Sequence, residues 1–72
     1  MDQKEFNRFI LKNNGKRVAV SWECPSLLVW GTLQVKRFLS DNTLQAYVIT
    51  EKGSLIRVTS HVEFITLDKR FN

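Results

Sequence analysis

After Gly15 the apolar residues of this chain change their beat, and that change limits the fold more than any other feature. Before it, Phe6, Phe9 and Ile10 recur at helical spacing, Leu11 widens the stripe, and Lys4, Arg8 and Lys12 point away. Asp2 followed by Glu5 resembles a capping box, and Asn13-Asn14-Gly15 is a stop signal. Residues 1–14 therefore read as a short helix with one face to lay on something else. Past Gly15, Val18, Val20 and Trp22 alternate with Arg17, Ala19 and Ser21, the two-residue period of a half-buried strand.

Four more strand-like runs follow. Glu23-Cys24-Pro25-Ser26 makes a turn, Leu27 to Phe38 is a long second strand, and Thr43 to Thr50 is a third. The third sets Leu44, Ala46 and Val48 against Gln45, Tyr47 and Ile49 on its other face. Glu51-Lys52-Gly53-Ser54 is a hairpin turn with glycine supplying a positive φ. Leu55 to Thr59 and Val62 to Leu67 complete the set, and Asp68 to Asn72 reads as a tail free to fray. The expectation is a mainly β chain: an N-terminal α-helix followed by a five-stranded, strongly bent antiparallel barrel. It forms a single domain over 1–72, with helix 1–14, barrel 16–67 and tail 68–72. Gly31 is the hinge that lets the long strand serve both halves of the sheet. The alternative is that Gly31 makes room for a neighbouring side chain in a flatter sheet.

A chain of 72 residues feeds one core and folds with a narrow margin. Cys24 is the only cysteine, so no intramolecular disulfide forms, and one cysteine with one histidine falls short of a zinc ligand set. Oligomerisation is the remaining way to gain stability; neither a metal nor a cofactor is expected. No apolar run approaches the ~20 residues that span a bilayer, and the first residues lack the pattern of a leader, so a soluble cytoplasmic protein is expected. Catalysis is not expected. His61 is the only imidazole, Cys24 precedes a proline, and the seven acids are dispersed without a pair at catalytic spacing. Gly15, Gly31 and Gly53 follow no nucleotide-binding pattern.

The net charge of +4 leans toward a polyanionic partner. Basic pairs stand at Lys16-Arg17, Lys36-Arg37 and Lys69-Arg70, with Arg57 between. They either neutralise phosphates and release counterions or serve as solvated edge charges that discourage aggregation. Trp22 keeps step with Val18 and Val20 and reads as core. Trp30, sharing a face with Leu28 and Thr32, is the better candidate for an exposed platform or a subunit contact. Phe38 and Tyr47 are further aromatic candidates, since unpaired bases stack on such rings beside cations.

The succession of helix, "KRVAVSW", "LLVWGTLQV", "TLQAYVIT", "SLIRVTS" and "VEFITL" resembles the Sm-like family, and within it the bacterial Hfq-type RNA-binding proteins. Lys16-Arg17-Val18-Ala19-Val20 matches the basic entry into the first strand, Gly31-Thr32-Leu33 the G-x-L pattern of the second, and Asn42-Thr43-Leu44 the loop asparagine before the third. The chain departs from the family's Tyr-Lys-His motif: the corresponding stretch reads Val58-Thr59-Ser60, with His61 one place late. The acid usual after G-x-L is also missing, and the strand runs into Lys36-Arg37. The resemblance implies an SH3-like barrel that assembles as a hexameric or heptameric ring, pairing the fourth strand of one subunit with the fifth of the next.

The leading expectation is a module that holds single-stranded RNA through Lys36, Arg37, Asn42, Arg57 and His61, with Lys16 and Arg17 at the rim. Two other readings stay open. One is a protein-binding adaptor or inhibitor, of a kind a phage or mobile element encodes, anchored by Trp30; the other is a small-nucleotide-binding protein that uses the same cations and rings.

Overall fold

The computed structural model describes residues 1–22, 28–38 and 43–70, with the side chains of Phe38 and Thr43 outside that description. One helix, α1 (Gln3–Lys12), precedes five strands: β1 (Arg17–Ser21), β2 (Val29–Phe38), β3 (Thr43–Ile49), β4 (Leu55–Val58) and β5 (Phe64–Leu67). The strands form one antiparallel sheet in the order β4-β3-β2-β1-β5. The expected helix and five antiparallel strands are present, but the sheet is not closed: β4 and β5 are its two edges. The turn expected at Glu23 to Ser26 lies outside the described residues.

α1 starts where the capping signal placed it. The Asp2 carboxylate accepts from Lys4 N at 2.7 Å and satisfies an amide that the first turn leaves exposed. At the other end both the backbone N–H and the side-chain amide of Asn13 donate to Phe9 O, each at 3.0 Å. The chain then stitches itself to β2: Gly15 N donates to Leu33 O, Leu33 N to Lys16 O, and Val35 N to the Asn14 side chain. Phe6 and Ile10 are buried and Phe9 is half-buried. Leu11 does not widen the buried stripe as expected; it is half exposed, because it projects about 100° round the helix from Ile10, off the face that Phe6 and Ile10 turn to the sheet.

Strand alternation divides the sheet into two faces. The inner face carries Val18 and Val20 of β1, Leu33 of β2, Ala46 and Val48 of β3, Val58 of β4 and Ile65 of β5, which close on Phe6, Ile10 and Val62 as one core. Each of the larger of these contributes about 1.5–3 kcal/mol by leaving water. Trp22 packs against that cluster half-buried. The outer face carries Arg17, Ala19 and Ser21 of β1, Trp30 to Lys36 on alternate positions of β2, Gln45, Tyr47 and Ile49 of β3, and Leu55 and Arg57 of β4.

β2 pairs with β1 through Val29–Thr32 and with β3 through Thr32–Phe38, so the two ladders share only Thr32. Gly31 sits at that handover. A Cβ there would stand 2.5 Å from Ile49 O and 2.5 Å from Val48 Cγ1. The glycine is thus needed for close approach of β3, and the long strand serves both halves of the sheet at the same point. The Thr50–Ser54 turn matches its expectation: Gly53 has φ +84° and donates to Thr50 O at 2.9 Å.

The expected tail is not free over its first residues. Asp68 is buried, its N–H donates to Arg17 O, and its carboxylate is gripped by Arg70. A buried carboxylate this close to two guanidinium groups anchors the segment that a sequence of polar residues after the last strand suggested was loose.

Candidate nucleic-acid interface

The β2–β3–β4 half of the outer face gathers several of the expected residues. Register sets Tyr47 opposite Gln34 on one side and Arg57 on the other, and Gln45 opposite Lys36. The Lys36 ammonium lies 5.9 Å from the Tyr47 ring centroid, at the outer range of a cation–π contact. The Tyr47 hydroxyl donates to Gln45 Oε1 at 2.6 Å, which ties the two side chains together.

Round the β4 edge from this row, on the side of the sheet that α1 covers, a small cleft of about 110 Å³ lies between the start of α1 and the β3–β4 pair. Gln3 and Asn7 line it from the helix, Gln45 and Arg57 from the sheet, and Thr59 and Ser60 from the turn after β4, over a floor that includes Phe6 and Ala46. Its position follows from the helix period: with Phe6 and Ile10 turned into the core, Gln3 and Asn7 fall one row to the side, and Gln3 Nε2 donates to Asn7 Oδ1 at 2.8 Å. The cleft is too small for a drug-sized ligand, which takes ~300–1,000 Å³. It suits one planar ring whose edge carries donors and acceptors, with amides and hydroxyls to match them and Arg57 in its wall.

The other expected cations lie elsewhere. Arg17 is at the opposite end of the outer face, where Glu51 stands 3.2 Å and Asp68 4.0 Å from its guanidinium. Lys16 joins Arg8 and Lys12 in an open groove along α1 and Leu67. Arg37 is exposed and, one residue from Lys36, turns to the other face. His61 is exposed in the turn before β5, and its backbone N–H donates to Thr59 Oγ1 at 3.3 Å. Asn42 and the Phe38 side chain lie outside the described residues.

Trp30 meets Arg70, whose guanidinium lies 4.7 Å from the ring centroid. Arg70 also clasps Asp68 through Nε and Nη2, at 3.0 and 3.1 Å. That side-chain clasp holds the Asp68 carboxyl below its ordinary range against the opposing effect of burial, with help from the Arg70 backbone N–H and the charges of Arg70 and Arg17. Arg70 is correspondingly raised.

The expectations did not include Gln3, Asn7, Gln45, Thr59 and Ser60. The spacing of Gln3 and Asn7 on the flank of the apolar stripe was a visible signal, but nothing in it says that β4 passes alongside. Among the described residues, no group of three or more His, Cys, Asp or Glu gathers closely enough to hold a metal ion, and no helix is long and apolar enough to cross a membrane. Compared with known proteins, the chain matches no protein-family model, no curated protein and no solved structure.

Proposed function

We propose that this chain is a non-catalytic, Sm-like module of the cytoplasm that holds single-stranded RNA on a homo-oligomeric ring. The observation that carries the reading is the amide-lined cleft beside Arg57. One base enters it edge-first and meets Gln3, Asn7, Gln45, Thr59 and Ser60; Arg57 takes the adjoining phosphate, and the strand continues round the β4 edge to Lys36 and the Tyr47 ring on the outer face. The ring is supported by the sheet order. β4 and β5 are opposite edges, each four residues long, and Leu55 on β4 is 57 % exposed. Joining β4 of one copy to β5 of the next is a heterologous contact; it closes into a ring when the rotation allows, and it removes both open edges.

The test is fluorescence anisotropy with a labelled single-stranded RNA of mixed sequence, run with absolute mass measurement on the unlabelled protein. Arg57→Ala and Gln45→Ala weaken binding, and the mass is that of a hexamer or heptamer. A monomer with no affinity for RNA overturns the reading. The competing reading, a protein-binding adaptor, is favoured by Trp30, which is 37 % exposed. It wins if Trp30→Ala abolishes capture of a defined protein partner while RNA binding is untouched.

A further inference from the structure

The outer face carries a second concavity, separate from the cleft beside Arg57. β1 and β2 bring Arg17 and Trp30 to it, the chain between β3 and β4 brings Thr50, Glu51 and Lys52, and Arg70 closes it from beyond β5. The result is an open cleft of about 500 Å³, within the ~300–1,000 Å³ of small-ligand sites.

Its lining supplies three kinds of group. The first is a stacking platform: Arg70 lies over the Trp30 ring, and its two hydrogen bonds to buried Asp68 hold the guanidinium in place. Both indole rings and guanidinium planes receive nucleobases. The second is positive charge: Arg17, Lys52 and Arg70 stand against the carboxylates of Glu51 and Asp68, which leaves an excess of one, and Lys52 is the cation outside those ion pairs. The third is the Glu51 carboxylate, whose side chain is 78 % exposed and reaches Arg17 at 3.2 Å. A carboxylate works against a site for bare phosphate, yet it is the group that accepts from the hydroxyls of a ribose. The turn that carries it is fixed by the Thr50 hydroxyl, which accepts from Ser54 N at 3.1 Å.

We propose that this cleft binds a nucleoside 5′-phosphate, with the base on the Trp30–Arg70 platform, the ribose on Glu51 and the phosphate on Lys52 and Arg17. The ligand is either a free nucleotide or the 5′-terminal nucleotide of an RNA chain. The inference does not rest on the RNA-binding reading of the Arg57 cleft, because it uses none of the same side chains.

Calorimetric titration of the whole chain with adenosine 5′-monophosphate, inorganic phosphate and adenosine tests it. The nucleotide binds with a millimolar or tighter Kd, and phosphate and adenosine each bind at least about tenfold more weakly. Lys52→Ala weakens the nucleotide about tenfold and Glu51→Gln about fivefold. Both positions are exposed, so these variants keep the test independent of folding; Trp30→Ala abolishes binding. No nucleotide binding at millimolar concentration, phosphate binding as tightly as the nucleotide, or binding unchanged by Lys52→Ala each overturns the proposal. In the Arg57→Ala background, a short RNA with a 5′-phosphate is then compared with its 5′-hydroxyl form. Binding tighter than the mononucleotide and dependent on the phosphate assigns the cleft to RNA ends; otherwise the free nucleotide is the ligand.

Discussion

Replacing Gly31 by alanine tests the geometry on which both clefts depend. The added Cβ would stand 2.5 Å from Ile49 O, 2.5 Å from Val48 Cγ1 and 2.9 Å from Ile49 C. Two of those atoms are backbone and the third belongs to a side chain that is fully buried, so no rotamer change relieves the clash. Relief requires β3 to move away from β2 where the two ladders of β2 meet. Overpacking of this kind costs about 1–3 kcal/mol, against which alanine recovers about 0.4–1 kcal/mol by restricting the unfolded chain. Contact with backbone places Gly31→Ala at the upper end, a net loss of about 2 kcal/mol. A 72-residue domain has about 4–11 kcal/mol in all, and the melting temperature falls by about 8–16 °C. Urea denaturation followed by circular dichroism reads the change in midpoint. A loss below about 0.5 kcal/mol, or a gain, would refute the argument, since it would mean that β3 does not approach β2 so closely.

Three further outcomes are expected. Phe6→Ala costs about 3–5 kcal/mol, because Phe6 is 2 % exposed and joins the helix to the core; a loss under about 1 kcal/mol would mean that α1 is not docked. Asp68 sits below its ordinary pKa of 3.8 in the folded chain, so the unfolded chain binds its proton first as pH falls. The stabilisation it provides is complete above 3.8 and is lost as pH drops through the lowered folded value. Urea midpoints measured down that range should therefore fall more steeply for the native chain than for Asp68→Asn, and parallel curves would remove the assignment. For RNA, Arg57→Ala and Lys36→Ala should each lower the slope of log K against log salt by about 0.7, the value of one single-strand phosphate contact, and adding Arg37→Ala, which turns to the other face, should leave the Lys36→Ala slope unchanged. Slopes equal to the native one would show that these cations meet no phosphate.

Much of the fold was readable along the chain, for a local reason. The capping Asp2, the stop at Asn13, the turn at Gly53 and the alternation of Leu44, Ala46 and Val48 each act within a few residues, and each falls where it was expected. Leu11 marks the limit: periodicity says which side of a helix is apolar, not where along the edge of that side burial stops. Candidate site residues divide the same way. Tyr47, Lys36 and Arg57 share a face by simple alternation, whereas the amides of Gln3 and Asn7 come to the cleft beside Arg57, at the β4 edge, only because α1 packs where it does. Arg17 looked like one more surface cation, and its neighbours Glu51 and Asp68 lie 34 and 51 positions along the chain.

By itself the sequence determined the types of element and their order, because helix and strand periods, caps and turns are properties of neighbouring residues. It also determined the basic character of the chain, which is composition alone. Only the tertiary structure decided which charges are spent on one another, where Trp30 meets Arg70, and that Gly31 lies under β3 rather than merely at a bend. Those facts depend on contacts between segments far apart in the chain, and a period of two or 3.6 residues specifies which face a side chain takes but not which distant segment comes to meet it.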